Sequence, residues 1–299
     1  MTKLGSPALH FALALAAAST FQTSTAQAQQ LTDRVSPDVP TEDTTAWALS
    51  AGGVFNSGNT QSYGLNVGTN ASIVRGRHGV GASWTFNIGG ANLPDDMVDE
   101  YIMTSRNSNA RLRYDFYLTK NDALFVALAH RWDTFAGLDT RLQGQVGYMR
   151  NFLNVEKHRA WGEIGYDITY DNFDPERRLD PDQSELPTCM GVDAATAPDE
   201  CLADGSQVVH AARLYLGYDN QLSEAVRFLT GIEALLNLQQ VEDLRLNFDA
   251  ALQTTIAGSL QVELKFKLLY DNVPALRADG TSFEKVDTLT TFSLIYTFI

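Results

Sequence analysis

The amino-acid sequence predicts an all-β protein, a transmembrane antiparallel up-and-down β-barrel of about twelve strands. Apolar and polar residues alternate along most of the chain, glycine is plentiful, and helix signals are scarce. The clearest segment is 260–270, in which Leu264 and Phe266 fall on one side and Lys265 and Lys267 on the other. Because successive side chains of a strand point to opposite faces, this segment has one apolar and one charged face.

The predicted strands follow one another along the whole domain. Most of them are close to the about 9–11 residues that a tilted membrane strand requires. In chain order they are 47–57, 61–74, 79–89, 109–118, 123–134, 139–152, 160–173, 207–221, 225–239, 244–256, 260–270 and 285–298.

The connections between these segments alternate between short and long. The tight links are 75–78, 119–122, 154–159, 222–225 and 257–259. The opposite end has longer loops at 91–103, 175–206 and 274–284. Short periplasmic turns and longer outer loops are typical of membrane barrels, and an even strand number places both termini on the short-turn side.

The strand number decides which face meets lipid. With twelve strands the interior is too wide for a dry core, so the apolar face needs lipid as its partner. A soluble β-sandwich or lipocalin-like barrel, with the apolar face as its core, is the alternative. Aromatic residues near strand ends resemble the two girdles of a membrane barrel. They are Trp47, Phe55, Tyr63, Trp132, Phe152, Tyr218, Phe228, Tyr270, Tyr296 and Phe298.

On this assignment the charged face lines the lumen. A water-filled pore would use separated charges to bias ion passage, whereas a structural barrel would pair them into a network that closes the lumen. Both need the same residues inside. The charges predicted to face the lumen are Arg111, Arg113, Asp115, Arg131, Asp133, Arg141, Glu163, Asp167, Arg213, Asp219, Arg227, Glu233, Arg245, Asp249, Glu263, Lys265 and Lys267.

The first 28 residues are typical of an export signal. Lys3 is their one charge, an apolar run follows, and 26–28 match a small-x-small cleavage pattern. A short transmembrane anchor is the alternative, but the run is shorter than the roughly 20 residues of a spanning helix. Residues 29–46 are predicted to be a flexible periplasmic lead-in, and 47–299 the barrel. We expect the protein in the outer membrane of a Gram-negative bacterium.

The acidic balance limits the partners. The formal net charge is −14, which argues against nucleic-acid binding because that depends on basic patches. The expected partners are outer-membrane lipid, the general barrel-assembly machinery and periplasmic chaperones, with small solutes or ions in the lumen. No cofactor is predicted.

Both cysteines lie in the longest predicted loop. Cys189 and Cys201 would meet an oxidising compartment after export, so we expect a disulfide, worth about 3 kcal/mol for a loop of this size. A redox or metal site is the alternative, but no Cys-x-x-Cys spacing or nearby histidine supports it. The acids at 180 and 182 lack the ligand spacing of a calcium loop, and we predict no metal site.

The histidines offer no evident catalytic pair. A barrel lipase uses His-x-Ser on one strand face so that the histidine can act as general base. Here Trp132 follows His130 at that spacing, and Ala212 follows His210. We expect a non-enzymatic barrel, either a narrow passive channel or an envelope structural or stress-response protein. A barrel enzyme acting on lipid or peptide at the outer rim is the alternative.

Four short motifs also resemble a known family. They are Ser57–Thr60, Arg113–Tyr117, His130–Asp139 and Gly144–Tyr148, in this order and spacing. The sequence is similar to the salt-induced outer-membrane proteins, which contain a domain of unknown function, over about 47–299. The resemblance implies a small outer-membrane barrel and brings no established chemistry. The cysteine loop is not part of the family pattern.

Overall fold

The computed structural model describes residues 43–56, 61–92, 102–173, 178–277 and 279–298. Twelve antiparallel strands each pair with their neighbours in the sequence, and β12 returns to pair with β1, so the sheet closes into a barrel. The predicted fold class and strand number are confirmed. The predicted export signal, most of the lead-in and the motif Ser57–Thr60 lie outside the described residues.

The strands are close to the predicted segments. Their bounds are β1 (Thr44–Asn56), β2 (Gln61–Arg75), β3 (His78–Asn92), β4 (Ile102–Tyr117), β5 (Asp122–Asp133), β6 (Leu138–Val155), β7 (His158–Phe173), β8 (Ser206–Gln221), β9 (Val226–Asn237), β10 (Leu244–Ala257), β11 (Leu260–Asp271) and β12 (Val286–Thr297). Short 3-10 helices occupy Thr134–Ala136, Pro181–Gln183 and Asp199–Cys201.

Two ends of the barrel can be distinguished. At the short-turn end, Gly76 and Gly258 adopt positive φ angles of 55° and 51°, a conformation that favours glycine in tight turns. The long-loop end carries the connections between β7 and β8 and between β11 and β12. Within the described part of the chain, no helix has the length and apolar character to cross a membrane.

The outer surface is apolar and the inner surface is polar. On β11, Leu264 is 50% exposed, whereas Glu263 beside it is 3% exposed. The other eleven strands also expose large apolar side chains, because no protein layer covers the outside of the barrel. A closed sheet leaves few strand edges unsatisfied, so this apolar surface can face lipid.

The closure between β1 and β12 is shorter than the other strand pairs. It runs from Ala48↔Thr297 to Gly52↔Ser293. By contrast, β1 pairs with β2 along its whole length. On the outside of this short seam, the Trp47 and Phe298 rings stack with centroids 4.3 Å apart. The seam is therefore fastened at the short-turn end.

Candidate functional site

All seventeen charges predicted to face the lumen lie on strands and are buried or half-buried in the barrel interior. The largest network joins β4 to β9. Arg113 contacts Asp115 and Glu163, both at 2.7 Å. Glu163 also accepts from Arg213 at 2.6 Å, and Arg213 donates to Glu233 at 2.7 Å. These five alternating charges are buried together, and each charge has an opposite partner.

A second network links β4, β6 and β7. Arg111 Nη2 donates to Gln145 Oε1 at 2.6 Å, and Gln145 Nε2 donates to Asp167 Oδ2 at 2.8 Å. The Thr169 hydroxyl donates to the other oxygen of Asp167 at 2.7 Å. The alternation of inward and outward residues predicted Arg111 and Asp167 in the lumen, whereas Gln145 and Thr169 were not among the predicted lumen residues.

A third network lies toward the long-loop end. Arg141 makes two hydrogen bonds to Asp171, at 2.6 and 2.8 Å, and Arg245 lies 3.5 Å from the same carboxylate. Arg131 pairs with Asp133 at 2.8 Å. Asp171 is completely buried but was not among the predicted lumen charges. Its inward parity with Asp167 on β7 was the signal that could have identified it.

The remaining predicted charges lie on β8–β11. Arg227 Nε donates to Asp219 Oδ1 at 2.8 Å, and Gln253 donates to Glu263 at 2.7 Å. The other three are buried or half-buried on the inner face, namely Asp249, Lys265 and Lys267. The lumen charges are thus concentrated on β4–β11.

Bulky side chains fill part of the lumen near the short-turn end. These side chains form an aromatic and apolar cluster that contacts charged residues. The guanidinium of Arg113 lies 4.2 Å from the centre of the Phe125 ring, and that of Arg159 lies 4.9 Å from the centre of the Trp161 ring. The cluster consists of Val74, Tyr117, Ala123, Phe125, Met149, Trp161 and Tyr215. The sequence reasoning missed this cluster, although its members share the inward parity of the charges.

A contrasting surface lies on β1, β2, β3 and β12, which we call the small-polar wall. The Ser293 hydroxyl donates to Asn66 Oδ1 at 2.9 Å across the lumen side of the seam. Most inward side chains of this wall are short and uncharged, so they leave space beside the ion-paired strands; the exceptions on β12 are Asp287, Leu289 and Ile295. They include Ser50, Asn66, Asn70, Ser72, Ser83, Thr85, Asn87, Thr291 and Ser293.

Among the described residues, a pair of cavities can be delineated in the lumen toward the long-loop end. The first, here called the vestibule, measures about 570 Å³ and lies between β4–β6, β8–β11 and the two long loops. The second, the side cavity, measures about 330 Å³ and follows the small-polar wall. Both are lined by Asn109, Arg131 and Lys267, so they adjoin each other.

The loop between β7 and β8 covers one side of the vestibule. Cys189 and Cys201 are joined by a disulfide. Asp180 N donates to Cys201 O at 2.9 Å, so the bridge lies beside a short ladder that holds the start of the loop against its end. Arg178 lines the vestibule and stacks over Phe173 at 4.2 Å. Burial lowers the pKa of the Arg178 guanidinium below its usual value.

The β11–β12 loop touches this loop. Gly280 has a φ of 80°, and a Cβ at that position would lie 3.1 Å from the Leu179 carbonyl oxygen. A side chain there would therefore meet both backbone strain and a close contact. Together the two loops form the roof of the vestibule.

The described histidines lie outside the lumen. His78 and Tyr114 are linked at 2.7 Å, and His158 and Tyr218 at 2.8 Å, each pair spanning adjacent strands on the outer surface. His210 bonds Tyr166 in the same way. These rings therefore join strands at the lipid face. Among the described residues, no group of three potential metal ligands occurs.

The fold, the apolar outer surface and the polar lumen define a membrane-spanning β-barrel with a polar interior. Residues 49–298 match the family DUF481, which is described as a protein of unknown function, and the chain belongs to that family. This confirms the resemblance to a family with a domain of unknown function. No curated protein sequence matches the chain.

Several solved structures are similar in outline. The NanC porin is 9% identical, with a TM-score of 0.44 over 84% of this chain and 99% of that one. An outer-membrane channel from Pseudomonas putida F1 is 9% identical, with a TM-score of 0.43 over 93% and 100%. The anion-selective porin from Comamonas acidovorans is 8% identical, with a TM-score of 0.36 over 86% and 100%. Because these values are low, function has to be argued from this chain's own geometry.

Proposed function

We propose that this barrel is a narrow, passive channel for small ions and polar solutes. The observation that carries the proposal is the pair of adjoining cavities, about 570 and 330 Å³, inside the polar lumen. Polar lining groups replace part of the hydration of a passing solute, and charges of both signs prevent tight binding of one ion. The lumen therefore offers passage without a strong binding site.

The path would be off-centre. The ion-paired strands fill one side of the lumen with long side chains, and the aromatic cluster adds Phe125 and Trp161 toward the short-turn end. On the other side, Ser50, Asn66 and Ser293 leave more space. We expect solutes to follow the small-polar wall, and the conductance to be low.

A closed structural barrel is the second candidate. The chain Asp115–Arg113–Glu163–Arg213–Glu233 joins strands across the lumen, and the aromatic cluster lies next to it. Where every lumen charge is paired with a partner, the side chains make the barrel rigid and leave no route for ions or solutes. Such a barrel would strengthen the envelope without conducting.

Planar-bilayer conductance of the refolded protein tests the two candidates. Unheated and boiled samples should first migrate differently on a detergent gel, which shows that the barrel is folded. A channel should then give discrete current steps. Folded protein that gives no steps would contradict the channel and support the closed barrel.

A thiol reagent locates the path. Cys189 and Cys201 are bonded to each other, so a charged methanethiosulfonate reacts with an introduced cysteine alone. Modification of Asn66→Cys should lower the conductance, because Asn66 lines the side cavity. The matched control is Leu65→Cys, whose side chain faces outward and is 43% exposed. An equal effect at both positions would contradict the proposed path.

The cellular setting forms part of the proposal. Export would remove residues 1–28. The lead-in, which ends at residue 43 because β1 already begins at Thr44, would lie in the periplasm and place the short-turn end there. Periplasmic chaperones and the barrel-assembly machinery would deliver the chain to the outer membrane of a Gram-negative cell. We propose no enzymatic activity. A lipase and protease screen of the folded protein checks that point, and any turnover would contradict it.

A further inference from the structure

The short seam between β1 and β12 leaves a gap toward the long-loop end. The last pair that joins them is Gly52↔Ser293. Beyond it, β1 continues to Asn56 and β12 extends back to Val286, each paired with its other neighbour alone. Within the described residues, 53–56 and 286–292 therefore have no ladder between them. Unpaired backbone groups are costly in lipid, so this gap needs a compensating partner.

Burial along β12 changes at the end of the seam. Ile295 and Leu289 share the inward parity of this strand. Ile295, in the fastened part, is 1% exposed, whereas Leu289, beside the gap, is 40% exposed. The inner face of β12 is thus accessible next to the gap.

The side cavity reaches this gap. Its lining includes the inward residues Ser50 and Thr291 and also Val67 and Thr288, which have the outward parity of their strands. A cavity lined by both faces of a sheet extends to the barrel wall. On β12 the lining residues 287–289 and 291 belong to the unpaired stretch, and on β1 the cavity touches Ser50, close to the end of the paired ladder.

The lining indicates the kind of molecule that would fit. Leu269 and Leu289 supply apolar contacts, and amides and hydroxyls such as Asn66 supply hydrogen bonds. The charged lining residues balance, with three cations and three acids, so the cavity carries no net formal charge. They are Arg131, Lys265 and Lys267, and Asp133, Glu263 and Asp287.

We propose that the side cavity opens laterally into the membrane between β1 and β12 and admits a single-chain amphipath with an uncharged polar head. The head would hydrogen-bond to the amides of the cavity and to the unpaired backbone groups of the gap. The alkyl chain would remain among the apolar residues at the barrel wall. A charged head would have to leave water for a cavity without net opposite charge.

The gap itself is tested by distances between spin labels, in a Cys189→Ser/Cys201→Ser background. Positions 54 and 291 would oppose each other if the existing register continued. Labels at Val54→Cys and Thr291→Cys should give a longer and broader distance distribution than labels at Ser50→Cys and Ile295→Cys, which oppose each other in the fastened ladder. Equal distributions would overturn the proposal.

Access from the membrane is tested by quenching. A fluorophore on Ser50→Cys should be quenched by an alkyl glucoside with a brominated chain, added to protein in phosphatidylcholine vesicles. A fluorophore on Gln143→Cys, which lines the vestibule on β6, should be quenched at least severalfold less. A brominated fatty acid should quench the label at 50 less than the glucoside does.

Two results would overturn this assignment. Equal quenching at positions 50 and 143 would show no lateral route, and stronger quenching by the fatty acid would contradict an uncharged head. The gel-mobility test shows that each labelled variant is folded. Because these measurements need no current, lateral entry can fail while the protein conducts, and conductance can fail while lateral entry is observed.

Discussion

On β4 to β9, long charged side chains meet one another across the lumen, whereas β1, β2, β3 and β12 present mainly serine, threonine and asparagine. Arg213 pairs with both Glu163 and Glu233, at 2.6 and 2.7 Å. On the other wall, Ser293 and Asn66 share one neutral hydrogen bond of 2.9 Å. The first wall closes space and links distant strands, and the second leaves space beside it. One barrel thus combines a rigid side with an open one.

The largest expected effect separates the two walls by stability. Arg213→Met keeps most of the side-chain volume but leaves Glu163 and Glu233 without their shared cation, so it should cost about 3–5 kcal/mol. Asn66→Ala removes one neutral hydrogen bond and should cost about 0.5–1.5 kcal/mol. Guanidinium unfolding in detergent micelles measures both. Similar losses would contradict the distinction between the walls.

The next prediction tests which side of each strand faces lipid, since the description of both walls depends on that assignment. Leu264→Arg places a charge among lipid-facing residues and should cost about 2–4 kcal/mol or prevent assembly. Lys265→Leu, one position away on the inner face, should leave the barrel folded. Gel mobility and the same unfolding titration compare them. If the substitution at 265 were the more damaging one, the faces would be reversed.

Spin-label accessibility sharpens the same assignment. A label at position 264 should be relaxed by oxygen dissolved in lipid, and one at 265 by a water-soluble nickel chelate. The reverse pattern would exclude lipid on the Leu264 side. Nickel contact at neither position would favour the closed barrel over the channel.

A smaller effect concerns selectivity along the open side. Lys265 lies on β11 and lines the side cavity next to the small-polar wall. Lys265→Leu removes one positive charge from the proposed path, so ion selectivity should shift towards cations. Reversal potentials in a salt gradient measure the shift, with Glu200→Gln in the exposed cysteine loop as the control. An unchanged potential would place the ion path elsewhere.

The smallest effect is expected at the disulfide. Cys189→Ser with Cys201→Ser should leave the barrel folded and its unfolding unchanged, because the about 3 kcal/mol of the bridge stabilises the loop, which lies outside the sheet. The same titration checks this. A loss comparable to that of Arg213→Met would show that the roof of the vestibule supports the barrel.

Sequence periodicity predicted the strands well where one face is apolar. β4 is the clearest exception, since it begins at Ile102 although alternation is visible from 109. Residues 104–109 are polar on both faces and gave no period-2 signal, but their backbone continues the ladder with β3. Strand pairing, rather than side-chain pattern, extends this element.

For the interior, the sequence could predict which residues point into the lumen but not which of them contact one another. Parity placed Arg113 and Glu163 inside, but their pairing joins β4 to β7, and such a pairing depends on the stagger between strands. The space along the small-polar wall follows from what its short side chains leave empty. Phe125 and Trp161 share the parity of the charges, and a strand pattern does not distinguish a filled lumen from a hollow one.

The disulfide in the β7–β8 loop has a further consequence for a protein exposed to proteases. A cut at any bond between Cys189 and Cys201 would divide the chain, but the bridge would keep both parts covalently joined. Seven strands precede this point and five follow it, and β7 and β8 would stay paired from His158↔Asn220 to Asn172↔Ser206. The nicked protein would therefore migrate as one species until it is reduced. The exposed loop can be cleaved without separating the barrel into fragments.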